Sequence, residues 1–188
     1  MAKLVFGMNQ SLDGYVDHMA FAPSPTLFRH FIEEVSGLVG SIYGRRMYEV
    51  MRAWESDEVI AGEPAEVREF AEVWRPAEKV VYSRTLEEAP TGRTRIEREF
   101  DPDTVRRMKA EADSDIGIGG PTLAAEAFRA DLVDECHLVL APAIVGAGTR
   151  ALPDGVRLDL ELLDERRFRN GFVHLHYRAL SGPDSSAG

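Results

Sequence analysis

At Asp115-Ile116-Gly117-Ile118-Gly119-Gly120-Pro121-Thr122-Leu123 a short apolar strand runs into two glycines and then a proline. Proline is well tolerated at the first position of a helix, so the segment reads as strand, glycine turn, helix. No other feature constrains the fold as much, because such junctions belong to sheets whose strands alternate with helices. The junction also suits a phosphate. The first N–H groups of a helix have no intrahelical partner, the helix dipole turns its positive end to the loop, and the missing Cβ atoms let a pyrophosphate approach the backbone. A tight turn needing positive φ would select the same glycines, so this segment by itself leaves both readings open.

The rest of the chain repeats the pattern. Strands are expected at Lys3 to Asn9, Leu38 to Tyr43, Glu78 to Tyr82, Thr94 to Ile96, Asp115 to Ile118 and Leu132 to Leu140. Between them, Leu27, Phe28, Phe31, Ile32 and Val35 recur at helical spacing after Pro23-Ser24-Pro25, and Gly37 ends that helix. Further helices are expected at Arg45 to Met51, Ala65 to Val73, from an Asp101 cap to about Ala112, and from Pro121 through Phe128. Residues 54–64 are polar and read as a surface loop. Leu158 to Phe168 and Phe172 to Leu180 read as a hairpin turning at Arg169-Asn170-Gly171, since Asn-Gly favours tight turns. The fold class is therefore α/β: a central, mostly parallel sheet with an antiparallel C-terminal hairpin, flanked by helices. One domain, residues 1–180, is expected, with residues 181–188 as a disordered tail.

Composition narrows the function. The 188 residues carry a net charge of −10, which disfavours a general nucleic-acid surface or an anionic membrane as partner. No apolar run reaches the ~18 residues of a membrane span and the start lacks a signal design, so a cytoplasmic protein is expected. The single cysteine, Cys136, excludes an internal disulfide and reads as a small buried hydrophobe. His174 and His176 alternate with apolar residues and read as the polar outer face of a strand. With no third ligand near them in sequence, no metal site is expected.

Two more junctions join the first. Tyr43-Gly44-Arg45-Arg46 places a glycine and a guanidinium at a strand-to-helix turn. Ser83-Arg84-Thr85 follows a strand with a hydroxyl and a guanidinium suited to a phosphate monoester, such as the 2′-phosphate of NADPH. Each alone could be an ordinary turn with a solvated arginine. All three fall at carboxyl ends of strands, where open α/β sheets bind ligands.

Six segments in order carry a family resemblance: Ser11-Leu12-Asp13-Gly14-Tyr15-Val16, Gly44-Arg45-x-Met47-Tyr48-Glu49, Val80 to Leu86, Ile116 to Leu123, Leu132-Val133-Asp134-Glu135 and Ala141 to Gly148. Together they resemble the reductase domain at the C-terminus of the bacterial bifunctional riboflavin-biosynthesis deaminase/reductase, and its stand-alone relatives, over residues 3–180. The resemblance implies a dihydrofolate-reductase-like fold, NADPH as cofactor, a small-molecule substrate and a homodimer. It places Gly44 and Arg45 at the cofactor phosphates and Ser83 and Arg84 at the 2′-phosphate. Gly119, Gly120, Thr122 and Leu123 would lie over the pyrophosphate, and Asp13 beside nicotinamide and substrate as the candidate catalytic residue.

The departures are equally specific. Pro25 to Arg29 holds no acid where dihydrofolate reductases carry one, which argues against dihydrofolate as substrate. Ile118 and Tyr15 replace charged residues of the riboflavin-pathway enzymes. Three functions follow: an NADPH-dependent reductase of a small heterocycle, the 5-amino-6-(5-phosphoribosylamino)uracil reductase of riboflavin biosynthesis, or a non-catalytic nucleotide-binding or sensor protein.

Overall fold

The computed structural model describes residues 1–16, 21 and 24–180; Pro23 and the expected disorder of residues 181–188 lie outside them. In chain order the elements are β1 (Leu4–Ser11), β2 (Tyr15–Val16), α1 (Pro25–Ser36), β3 (Leu38–Gly44), α2 (Arg45–Met51), a 3₁₀ turn (Arg52–Glu55), α3 (Asp57–Ile60), α4 (Ala65–Trp74), β4 (Glu78–Tyr82) and β5 (Thr94–Glu97). They continue with α5 (Pro102–Glu111), β6 (Asp115–Gly119), α6 (Pro121–Arg129), β7 (Glu135–Ala141), β8 (Thr149–Arg150), β9 (Asp159–Arg167) and β10 (Val173–Leu180).

Eight strands form one sheet in the order β5-β4-β3-β6-β1-β7-β10-β9. The first six are parallel, and β10 and β9 add antiparallel at one edge. This is the expected α/β architecture. The hairpin closes where expected: Gly171 takes φ 88°, and Phe168 N–H donates to Phe172 C=O at 2.9 Å. Two details differ from expectation. Residues 54–64 are not simply a loop, because Trp54 and Ile60 turn inward and draw the chain into the 3₁₀ turn and α3. Tyr15–Val16 and Thr149–Arg150 also pair as a separate two-stranded ribbon, too short to show any periodicity.

Alternation along the central strands sorts the core. Leu4, Phe6 and Met8 of β1, Ile116 and Ile118 of β6, and Cys136 and Leu138 of β7 pack with Val105 of α5 and Leu123, Ala127 and Phe128 of α6. Phe6 and Phe128 meet edge-on at 5.2 Å, a geometry worth about 0.5–1.5 kcal/mol beyond area burial. Cys136 lies in this core as expected, and burial pushes its thiol up to about 12. Helix starts follow the sequence: Ser24 accepts from Leu27 N–H, and Asp101 accepts from Asp103 and Thr104 N–H, caps worth ~1 kcal/mol each. Asp134 accepts from Leu4 N–H and from the buried Lys109 ammonium, both at 2.6 Å, tying α5 to the entry of the central strands. Among the described residues, no helix is long and apolar enough to cross a membrane.

The opposite face of the sheet carries α1, α2 and α4, and here the alternation leaves gaps. The residues of β1 and β6 that point this way include Gly7, Gly117 and Gly119, so the sheet surface under α1 lacks side chains at these three positions.

Candidate functional site

Strands β4, β3 and β6 are neighbours, so the three glycine and arginine junctions meet along one end of the sheet. Gly120 caps α6 with φ 94° and ψ 123°, a conformation essentially reserved for glycine, and no side chain caps the helix. Gly44 caps α2, and a Cβ built on it would stand 3.4 Å from the Leu123 Cβ, so the two helix starts are in contact. Arg45 bridges to the third junction: Nε donates to Glu49 at 2.7 Å and its guanidinium to the Thr85 hydroxyl at 2.6 Å. The Ser83 hydroxyl is buried and accepts from the Thr85 and Leu86 N–H groups, which shapes this turn. Arg84 projects into solvent, 3.6 Å from Glu99, with both side chains about four-fifths exposed. Thr122 is exposed and Leu123 buried at the start of α6.

Asp13 sits in the turn after β1. Its carboxylate accepts from Val145 and Gly146 N–H at 3.2 and 2.8 Å, so it clamps the β1–β2 turn to the loop before β8. A hydrogen bond from Ser11 and these backbone donors hold its carboxyl below the ordinary range and favour the ionised form. It does not line the cavity described next.

That cavity, about 520 Å³, lies between the glycine surface of the sheet and α1, within the range of small-ligand sites. Phe28, Phe31 and Val35 of α1 cover it, and Met47, Met51 and Trp54 close one side. Gly119 opens onto it, so the cavity and the start of α6 share a border. At its other end the wall turns polar with Glu34, Glu135, His137 and His176.

These polar residues belong to a cluster that overturns the expected outer face for His174 and His176. Both point inward: His174 is 2% exposed, and His176 pairs across strands with His137. Glu34 Oε1 lies 2.5 Å from His137 Nδ1, 3.0 Å from His174 Nε2 and 3.3 Å from His30 Nε2. Next to it, His176 Nε2 is 3.1 Å from Glu135, whose other oxygen accepts from Lys3 at 2.7 Å. The His30 Nε2 and His174 Nδ1 atoms are buried without a hydrogen-bond partner in the structure. Thus α1 does bring a carboxylate to the cavity, further along the helix than Pro25 to Arg29. The spacing of His30 and Glu34, one helical turn apart, was the available signal; that β7 and β10 complete the group was not visible in it.

Burial alone would raise the Glu34 carboxyl, but the His137, His174 and His30 ring nitrogens gathered around it outweigh burial and hold the group far below the ordinary range. Burial and the neighbouring His137 lower His176, against the opposing pull of Glu135. A carboxyl depressed in the folded state stabilises it above the unfolded value, near ~4.3, and loses that contribution as pH falls toward the folded value. Urea unfolding between pH ~7 and ~3 should therefore show a steep loss of stability on the acid side. Glu34→Gln, which does not titrate, should flatten that loss; equal acid slopes in both proteins would remove Glu34 as its source.

Comparison with known proteins agrees with this architecture. The family described as the RibD C-terminal domain matches residues 2–174. The Bacillus subtilis protein YyaP, itself uncharacterized, is 25% identical over 179 residues, covering 94% of this chain and 91% of its own. A Shewanella sp. PV-4 structure provisionally named for riboflavin biosynthesis superposes with a TM-score of 0.74 at 19% identity, covering 96% of this chain and all of its own. A pyrimidine reductase-like protein from Corynebacterium diphtheriae gives 0.67 at 12% identity, covering 96% of this chain and 93% of its own.

Proposed function

Because this chain belongs to the RibD C-terminal domain family, we propose that it is an NADPH-dependent reductase of a small planar heterocycle. The observation that carries this reading is the shared border between the cofactor-type junctions and an apolar cavity open at Gly119. NADPH supplies the hydride; the chain binds and orients. Gly119 and Gly120 offer backbone where a side chain would block approach, since a Cβ on Gly119 would fall 3.0 Å from the Tyr43 ring. Thr122 and Leu123 begin the helix over the pyrophosphate, Gly44 and Arg45 face the phosphates, and Ser83 and Arg84 receive the 2′-phosphate. The substrate ring fits between the glycine surface and Phe28 and Phe31, and its hydrogen-bonding edge meets the polar end of the cavity. Asp13 acts by holding the loop at Val145 and Gly146 beside that site.

The finer reading, reduction of the phosphoribosylaminouracil intermediate, has one observation in its favour. Tyr15 stands where the pathway enzymes place a cation, but the Arg150 guanidinium lies 5.3 Å above its ring and returns positive charge to that position.

Calorimetric titration with NADPH and NADH, repeated on Arg84→Ala, tests the cofactor assignment. NADPH should bind in the micromolar range, and the substitution should weaken it by ~1–3 kcal/mol, the scale of a charge-assisted hydrogen bond, while leaving NADH unchanged. Absence of binding by either nucleotide would overturn the reductase reading.

A further inference from the structure

Four of the chain's five histidines gather where α1 crosses β7 and β10, a larger polar investment than a cavity wall needs. We propose that His30, Glu34 and His174, with His137 as a fourth donor, bind a divalent transition-metal ion of the Zn²⁺ or Co²⁺ type.

The spacing of the donor atoms fits such an ion. Bonds of ~2.0–2.1 Å in a tetrahedral site put ligand atoms about 3.3 Å apart. Here His174 Nε2 is 3.0 Å and His30 Nε2 3.3 Å from Glu34 Oε1, and His174 Nε2 is 3.3 Å from His137 Nδ1. The ligand atoms of His30, Glu34 and His174 all lie within 4.8 Å of one another, and the contact of Glu34 with His137, at 2.5 Å, must open for His137 to join them around the ion. The donor set is three imidazole nitrogens and one carboxylate oxygen. It suits zinc, cobalt or nickel; the oxygen-seeking ions Mg²⁺ and Ca²⁺ want more carboxylates, and no thiolate is present for Cu⁺.

A second observation is independent of spacing. His30 is 7% exposed and its Nε2 has no hydrogen-bond partner, although it lies 3.3 Å from a carboxylate oxygen. It is near the carboxylate but not aligned to donate to it. A carboxylate oxygen approached by three ring nitrogens is also crowded for hydrogen bonding, whereas an ion among them takes one lone pair from each. His176 stacks on His137 at 3.9 Å between ring centroids and leads on to Glu135, so the site has an outer layer that fixes the His137 ring.

Untagged, chelator-treated protein titrated with Co²⁺ tests the assignment. One ion per chain should bind, with the strong visible absorption of tetrahedral cobalt, and Zn²⁺ should displace it. His30→Gln and His174→Gln should each weaken binding ~100-fold or more, at least the scale seen when supporting residues of metal sites are lost. In the unsubstituted protein, Co²⁺ should broaden the ring C–H proton signals of His30 and His174, which decides the matter if either variant fails to fold. Failure of both ions to bind in the micromolar range overturns the site. Binding that survives His30→Gln but is lost in His176→Gln places the ion on Glu135, His137 and His176, and overturns this ligand set. The nucleotide titration is a separate measurement, so the two proposals stand or fall apart.

Discussion

Gly120→Ala should cost about 2–6 kcal/mol of stability and abolish most NADPH binding. Two penalties add. At φ 94° and ψ 123° an alanine occupies backbone space essentially reserved for glycine, which costs of order 1–3 kcal/mol. Its Cβ would also fall 2.9 Å from the Met47 Cβ, an atom fixed to the α2 backbone that cannot swing aside as a side-chain tip would. Forcing a methyl into such a contact costs a further ~1–3 kcal/mol. Relief requires α2 and α6 to separate, and these two helix starts form the proposed nucleotide site. Gly62→Ala is the control, because a Cβ there meets nothing within 4 Å; its effect should stay within ~0.5 kcal/mol. Urea midpoints at unchanged slope would measure both. Wild-type stability in Gly120→Ala would show that the junction relaxes without the helices parting.

Trp74→Ala should cost ~3–5 kcal/mol, the range for truncating a buried aromatic. The indole is 1% exposed and packs with Tyr43, Phe70 and Val81. Its Nε1 donates to the Tyr43 hydroxyl at 3.1 Å, and the Lys79 ammonium sits 4.3 Å from the ring while donating to the Trp74, Arg75 and Ala77 carbonyls at 3.1, 3.0 and 2.8 Å. Truncation thus opens a void, strips Tyr43 of its donor and exposes one side of a buried cation. Trp74→Phe keeps most of the ring and loses the N–H, so it should cost less, near the ~0.5–1.5 kcal/mol of one hydrogen bond plus a small packing loss. Equal losses in the two variants would show that the hydrogen bond, not the packing, dominates. Because Tyr43 stands against Gly119 and lines the cavity, Trp74→Ala should also weaken ligand binding in protein that remains folded.

Much of this could be read from local signals. The Arg45–Met51 helix falls on its expected bounds, because Gly44 marks its start. Gly119-Gly120-Pro121 and Asn170-Gly171 marked real turns, since positive φ leaves a direct trace in glycine. The 3₁₀ turn and α3 escaped because elements of four residues show no period, and their inward residues, Trp54 and Ile60, stand among charges. The histidine cluster escaped for another reason. Glu34 and His137 are 103 residues apart, and only the order of strands in the sheet brings them together. The reading of His174 and His176 failed on sidedness: alternation says that two residues share a face, but not which face is inside. The hydrogen bonds of Asp13 with the Val145 and Gly146 N–H groups escaped as well, since 132 and 133 residues separate the partners and no local signal in the turn points to them.

The three glycines beneath α1 are not equivalent as places to add a methyl group. At Gly117 the new carbon would stand 2.8 Å from Leu38 and 3.0 Å from Ser41, and at Gly119 3.0 Å from Tyr43; these two fix the floor at its present level. At Gly7 it would meet nothing within 4 Å. The depth of the cavity can therefore be tuned at one position without disturbing the sheet. A family building on this scaffold could change the thickness of the ring it accepts through Gly7 alone, leaving the helix starts beside it untouched.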